Sequence, residues 1–300
     1  MGVGRCGGGL LVKTCRTAAE VDSLGLDRLK FDPRPVDGPT MGLEMFAVEA
    51  VGLRKVYGEK VAVGCLDLAV PAGSFFGVVG PNGAGKTTTL RMMTGLLRPD
   101  AGTVHIDGVD VWANPIAAKE RIGVLPDDLR LFDRLTGQEF LTYIGRMRRM
   151  EIPEAKQRCA EVLELLGLSE SSKEIVADYS QGMRKKIALG AAIMHIPKVL
   201  FLDEPFESVD PVSSRMVQEV LAKFRADGGT VIFSSHVMET VENLCDYVAI
   251  VHGGAIVASG ETEVLCAGST LEQTFIESVG AKEVRLDGLG WLQASLRAAA

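Results

Sequence analysis

The stretch that most constrains this chain is Gly80-Pro81-Asn82-Gly83-Ala84-Gly85-Lys86-Thr87-Thr88. It fits the pattern G-x-x-x-x-G-K-[ST] at every fixed position. Glycine at these places lets the backbone turn tightly, so that successive N–H groups point inward at an anion. Lys86 then places a positive charge at the β- and γ-phosphates of a nucleotide, and Thr87 offers a hydroxyl to Mg²⁺. The flanks agree. Phe75-Phe76-Gly77-Val78-Val79 is a short apolar run of buried-strand type, and Thr89-Leu90-Arg91-Met92-Met93 begins a helical pattern. A helix beginning after the loop aims its N-terminal N–H groups at phosphate.

Bulk properties exclude other classes. The 300 residues carry a net charge of -7, which argues against a dedicated nucleic-acid binder, and no nucleic-acid partner is expected. The longest apolar region, 187–202, is cut by His195, Pro197 and Lys198, so no spanning helix is predicted. Cys6, Cys15, Cys65, Cys159, Cys245 and Cys266 show no metal-type spacing and suit a reducing cytosol.

Residues 1–44 stand apart. They open with Gly2-Val3-Gly4-Arg5-Cys6-Gly7-Gly8-Gly9 and later run Phe31-Asp32-Pro33-Arg34-Pro35, with weak periodicity between. An unstructured N-terminal extension is predicted there, with Met41 or Met45 as alternative first residues; a regulatory arm is the competing reading.

From Phe46 the pattern is regular. Segments 46–56 and 61–70 alternate apolar and polar, as half-buried antiparallel strands do. Segments 103–108 and 122–126 read as short strands, the second stopped by Pro126. Between Leu135 and Leu168 the periodicity is helical. Val199-Leu200-Phe201-Leu202 and Thr230-Val231-Ile232-Phe233 are of buried parallel-strand type, and 246–251 with 255–260 form a strand pair around Gly253-Gly254. The fold class predicted is α/β: a P-loop core with a mixed, largely parallel sheet, an antiparallel β-subdomain and an α-helical subdomain. Asp203 and Glu204 end one apolar strand. Asp203 suits a contact with Mg²⁺, and Glu204 is placed to orient and polarise an attacking water.

With these residues in place the chain resembles the ATP-binding cassette (ABC) family of transporter ATPases. The resemblance covers roughly 46–280 and places the ATPase domain at 45–280, a helical subdomain at about 127–178 and a tail at 281–300. Asp178-Tyr179-Ser180-Gln181-Gly182-Met183 is similar to the family's signature segment, usually written LSGGQ; Ser180 and Gly182 match, while Tyr179, Gln181 and Met183 depart. Ser180 also suits the N-cap of a helix over 183–195. The resemblance implies that Ser180, Gln181 and Gly182 address ATP held by the opposite subunit, and that Asp210 lies in the loop crossing the dimer interface. It further implies that His236 links γ-phosphate to the catalytic Glu204, and that Tyr57 stacks on adenine. Where the family carries glutamine after Leu125-Pro126, this chain has Asp127, a shorter and charged candidate Mg²⁺ ligand, followed by Asp128. The expected cofactors are ATP and Mg²⁺.

The Tyr-Ser-x-Gly-Met form of the signature and Leu135-Thr136-Gly137-Gln138-Glu139 resemble the bacterial exporter branch. The implied partners are an integral-membrane transporter subunit and a second ATPase subunit in a homodimer. The implied place is cytoplasmic, peripheral on the membrane through the partner. The alternative is a soluble family ATPase not coupled to transport.

Overall fold

The computed structural model describes residues 46–279. The expectations for 1–44 and for the 281–300 tail lie outside the described residues.

β1 (Phe46–Tyr57) and β2 (Lys60–Pro71) form a hairpin. With β4 (Ala101–Ile106) and β5 (Val109–Asp110) it makes a four-stranded antiparallel sheet, order β2-β1-β4-β5. The cause is the alternation: Val48, Ala50, Leu53, Val63, Leu66, Leu68 and Val70 are buried, while Glu49, Val51, Arg54 and Asp67 face outward.

The second sheet has six strands, order β10-β9-β3-β8-β7-β6. β3 (Phe75–Val79), β6 (Ile122–Leu125), β7 (Val199–Asp203), β8 (Thr230–Ser235) and β9 (Tyr247–His252) are parallel. β10 (Ala255–Glu261) closes the edge antiparallel to β9, giving the mixed, largely parallel sheet expected. Its strands are apolar on both faces because both are covered. Phe75, Val79, Leu200, Leu202, Val231 and Phe233 join one core; Phe76, Val78, Val199, Phe201 and Ile232 join the other. Phe76, Phe201 and Phe233 are fully buried, so truncating any of them to alanine costs about 3–5 kcal/mol.

The second core lies between this sheet and the antiparallel one, with α1 (Lys86–Met93) and α2 (Pro115–Arg121). The first core lies under α3 (Gly137–Met147), α4 (Ile152–Leu165), α5 (Gln181–Ile193) and α6 (Pro211–Ala226). α7 (Met238–Leu244), α8 (Thr262–Leu265) and α9 (Leu271–Val279) complete the chain. α3 starts at a capping box: Thr136 Oγ1 accepts from the Glu139 N–H, and Glu139 Oε2 accepts from the Thr136 N–H.

α5 is seated hard. A side chain on Gly123 of β6 would run into the Ala192 carbonyl, and one on Gly190 would meet Val162 at 2.8 Å and Leu166 at 3.0 Å. Two helix starts differ from the sequence pattern. α1 begins at Lys86, inside the loop motif, not at Thr89; α5 begins at Gln181, not at Met183. In both cases the cap residue, Gly85 or Ser180, sets the start, and the first apolar residue comes later.

Candidate active site

Four parallel strands end side by side. Register pairs Val79 with Ser235, Asp203 with Ser234 and Leu125 with Leu202. Gly80, Glu204, His236 and Asp127 follow these ends, so chemistry from distant parts of the chain gathers at the carboxyl edge of the sheet.

Gly83 and Gly85 have φ of 79° and 110°, left-handed values that a side chain disfavours. Gly85 caps α1 without any side-chain acceptor, which leaves the helix's first N–H groups to a phosphate. The loop is floored by the far end of the chain: the Gly254 N–H donates to the Ala84 carbonyl at 2.9 Å, and Gly80 packs directly on the Val251 carbonyl.

Lys86 is 5% exposed. Its Nζ donates to the Gly80 carbonyl at 2.7 Å and to that of Pro81 at 3.3 Å, and lies 3.3 Å from Glu204 Oε1. Thr87 Oγ1 donates to Asp203 Oδ1 at 3.2 Å, and Ser234 Oγ donates to the same oxygen at 2.5 Å. Burial pushes the Asp203 carboxyl above the usual range, and these two hydrogen bonds pull it back in part. The Thr87–Asp203 pair is a hard-oxygen donor set at the phosphate end of the site, which fits Mg²⁺.

Glu204 is buried and has φ 47°. Its N–H donates to Ser234 Oγ at 3.0 Å. Its Oε2 accepts from the His236 N–H at 3.3 Å and lies 3.1 Å from His236 Nδ1. Tyr57, half-exposed at the end of β1, shares a cavity of about 450 Å³ with Asn82, Gly83, Ala84, Gly85, Lys86, Thr87, Thr88, Asp127, Glu204 and Glu207. Asp128 turns elsewhere, its carboxylate 2.9 Å from Arg130 Nε.

Ser180, Gln181, Gly182 and Asp210 do not line this cavity. Ser180 caps α5, accepting from the Met183 N–H at 3.3 Å, and is exposed with Gln181. Asp210 caps α6, accepting from the Ser213 N–H at 2.9 Å. Its other carboxylate oxygen lies 3.4 Å from where a side chain on Gly182 would begin. Gly182 and Asp210 thus abut one another, apart from the cavity that Lys86 and Thr87 line.

The family description "ABC transporter" matches residues 63–207. Over 235 residues the chain is 38% identical to the linearmycin resistance ATP-binding protein LnrL of Bacillus subtilis (strain 168), covering 77% of this chain and 76% of that protein. The chain belongs to the ABC transporter family.

A second ABC relative is the daunorubicin/doxorubicin resistance ATP-binding protein DrrA of Streptomyces peucetius, 38% identical over 72% of this chain and 66% of that protein. A solved ATP-binding subunit of an ABC transporter matches with a TM-score of 0.72 at 25% identity, covering 78% of this chain and 99% of that one. The protein is a nucleotide-binding ABC ATPase that powers transport. No helix among the described residues is long and apolar enough to cross a membrane.

Three residues of the ABC site escaped the sequence reading. Ser234 joins Asp203 to the Glu204 backbone. Glu207 offers a donor atom within 4.8 Å of donor atoms on Glu204 and His236. Lys185 is buried, its Nζ on the carbonyls of Glu204 and Glu207. Only Lys185 left a signal: it stands one turn before the buried Leu189 on the core-facing stripe of α5, where a lysine is out of place.

Proposed function

We propose that two copies of this ABC ATPase close head to tail on two ATP molecules, and that closure drives an integral-membrane transporter subunit in the export direction. The observation that carries the reading is Ser180, which caps α5 at the surface and lies outside its own chain's nucleotide cavity. Such a helix start is a ready phosphate site that this chain does not use for itself. A second copy supplies the missing half.

Within each composite site Tyr57 stacks on adenine and the loop N–H groups hold the phosphates. Thr87 and Asp203, with Asp127 at the cavity wall, would hold Mg²⁺, which would supply neutralisation of phosphate charge. Glu204 accepts a hydrogen bond from the attacking water and polarises it for in-line attack. His236, fixed on Glu204 Oε2, links that carboxylate to the γ-phosphate. Lys86 stabilises the charge that builds on the transferred group. Ser180, Gln181 and Gly182 of the facing copy close the far side, with Asp210 at the seam.

The division proposed is an ABC ATPase domain over 45–280 with a helical subdomain at about 127–178. The membrane partner docks on the helical subdomain, where Phe132, Tyr143 and Met147 are exposed and the first two rings meet edge-on at 5.2 Å. That docking holds the protein at the cytoplasmic face. Export rests on the resistance proteins among its relatives.

Glu204→Gln tests the sandwich. It keeps the size of the side chain and removes the charge that polarises water, so the variant should bind ATP, hydrolyse about 100-fold more slowly and elute as a dimer with ATP and Mg²⁺ in size-exclusion chromatography. A variant that stays monomeric at saturating ATP overturns it.

A further inference from the structure

The segment after β7 runs through a conformation its own residues disfavour. Glu204 has φ 47° and Ser208 has φ 57°, both left-handed and neither glycine. Such geometry persists only where the surroundings over-determine it. Ser234 Oγ holds the Glu204 N–H from the β8 side. From the other side comes Lys185, whose Nζ donates to the Glu204 carbonyl at 2.6 Å and to the Glu207 carbonyl at 2.5 Å. A lysine 5% exposed and committed to two backbone carbonyls is expensive to bury. Burial does push its ammonium group down, against the pull of the Asp127, Glu207, Glu204 and Asp203 carboxylates.

The neighbouring Arg184 faces another way. Its NH1 donates to the Val176 carbonyl at 2.9 Å and lies 2.8 Å from Asp133 Oδ1, both between β6 and α5 in the chain. α5 is therefore tied through Arg184 to the helical insert and through Lys185 to the catalytic loop. The same helix begins at Ser180. Lys185 itself does not line the nucleotide cavity.

We propose that Lys185 is a positioning residue for hydrolysis: by gripping the Glu204 and Glu207 carbonyls it fixes the aim of the Glu204 carboxylate and couples that aim to the seating of α5, whose first turn carries the signature. A signature helix displaced by contact with the facing nucleotide moves the glutamate of its own site with it. The inference rests on Glu204 as the residue that polarises water.

Lys185→Met keeps the length of the side chain and removes its donors. Its kcat should fall about 100-fold, the loss typical of a misplaced reacting group, while KM for ATP and affinity for trinitrophenyl-ATP stay within about twofold. Lys185→Arg, which keeps donors and charge, should recover about tenfold of that loss. A wild-type kcat in Lys185→Met overturns the proposal, as does a KM that rises in step with the loss, or a Lys185→Arg no faster than Lys185→Met. Where Lys185→Met yields no folded protein, Lys185→Gln decides on the same split, since its shorter amide cannot serve both carbonyls; a wild-type kcat there overturns the proposal. Glu204→Gln is measured alongside. If it hydrolyses ATP at the wild-type rate, the reading of Glu204 fails; if it is inert while Lys185→Met is fully active, only the role of Lys185 fails.

Discussion

The phosphate loop and the signature segment are both helix starts, yet they are built to opposite ends. At the loop, α1 begins on a glycine, and the nearby lysine is buried against Gly80 and Glu204. The loop N–H groups, Lys86 and Thr87 are gathered inside one chain. At the signature, α5 begins on a serine at the surface, and its neighbours are the cap of α6 and a cavity of about 390 Å³ lined by Asp127, Gln181, Lys185 and Glu207. In the proposed sandwich one half of the site is finished and the other is offered outward, so a single chain should bind nucleotide and hydrolyse it only in company.

The largest effect should come from the finished half. Lys86→Ala removes the buried cation, so ATP turnover should fall about 1000-fold and nucleotide binding by the single chain should be lost. A variant that still binds trinitrophenyl-ATP as wild type would erase the contrast at once. Ser180→Ala should show the opposite profile: binding by the single chain unchanged, turnover down about 10–100-fold. It also loses the cap of α5, worth about 1 kcal/mol, so its melting temperature should drop by a few degrees. Ser180→Asn keeps the cap and should separate the two effects, restoring the melting temperature and not the turnover.

Asp127 lies on the line between the two regions, since both cavities reach it. Asp127→Ala should raise the Mg²⁺ concentration for half-maximal turnover about tenfold, with metal-free nucleotide affinity unchanged. Asp127→Gln should restore most of the activity and Asp127→Asn less. An unchanged Mg²⁺ dependence in all three reduces Asp127 to a turn residue.

The smallest effect concerns how α5 is anchored at its far end. His195 Nε2 lies 2.9 Å from the Ile122 carbonyl, and burial, helped by Arg148, lowers the imidazole from 6.5 to about 4. The folded chain therefore prefers the neutral ring. Its contribution to stability is full above the unfolded value of 6.5 and drains away as pH falls toward about 4. Melting temperature should drop by a few degrees more between pH 7 and pH 4.5 in the wild type than in His195→Gln.

Much of this was legible in the sequence because its signals are local. The glycines, Lys86 and Thr87 sit within nine residues. Period-two alternation gave β1 and β2, and apolar runs gave the parallel strands. What stayed hidden are bonds between side chains and remote backbone. Ser234 reads as an ordinary strand residue until β8 pairs with β7 and sets it beside Asp203. Glu207 and Lys185 meet only because α5 packs next to the end of β7. Helix starts were misplaced by two or three residues because a cap acts through its geometry, while periodicity registers only the first apolar side chain.

The floor beneath the phosphate loop has a consequence for synthesis. A ribosome that has reached Thr88 has made every residue of the loop and, of what packs against it, only the first hairpin, whose Ala62 carbonyl faces Gly85. Both strands that flank β3, and Gly254 against Ala84, come from the last third of the described chain. At about 5–20 residues per second the wait is on the order of ten seconds, during which β3 has two open edges. Nucleotide cannot help the nascent chain through that interval, because its binding site does not yet exist. The ATP site is a late product of translation, and a chain released before Gly254 should bind no nucleotide however intact its loop.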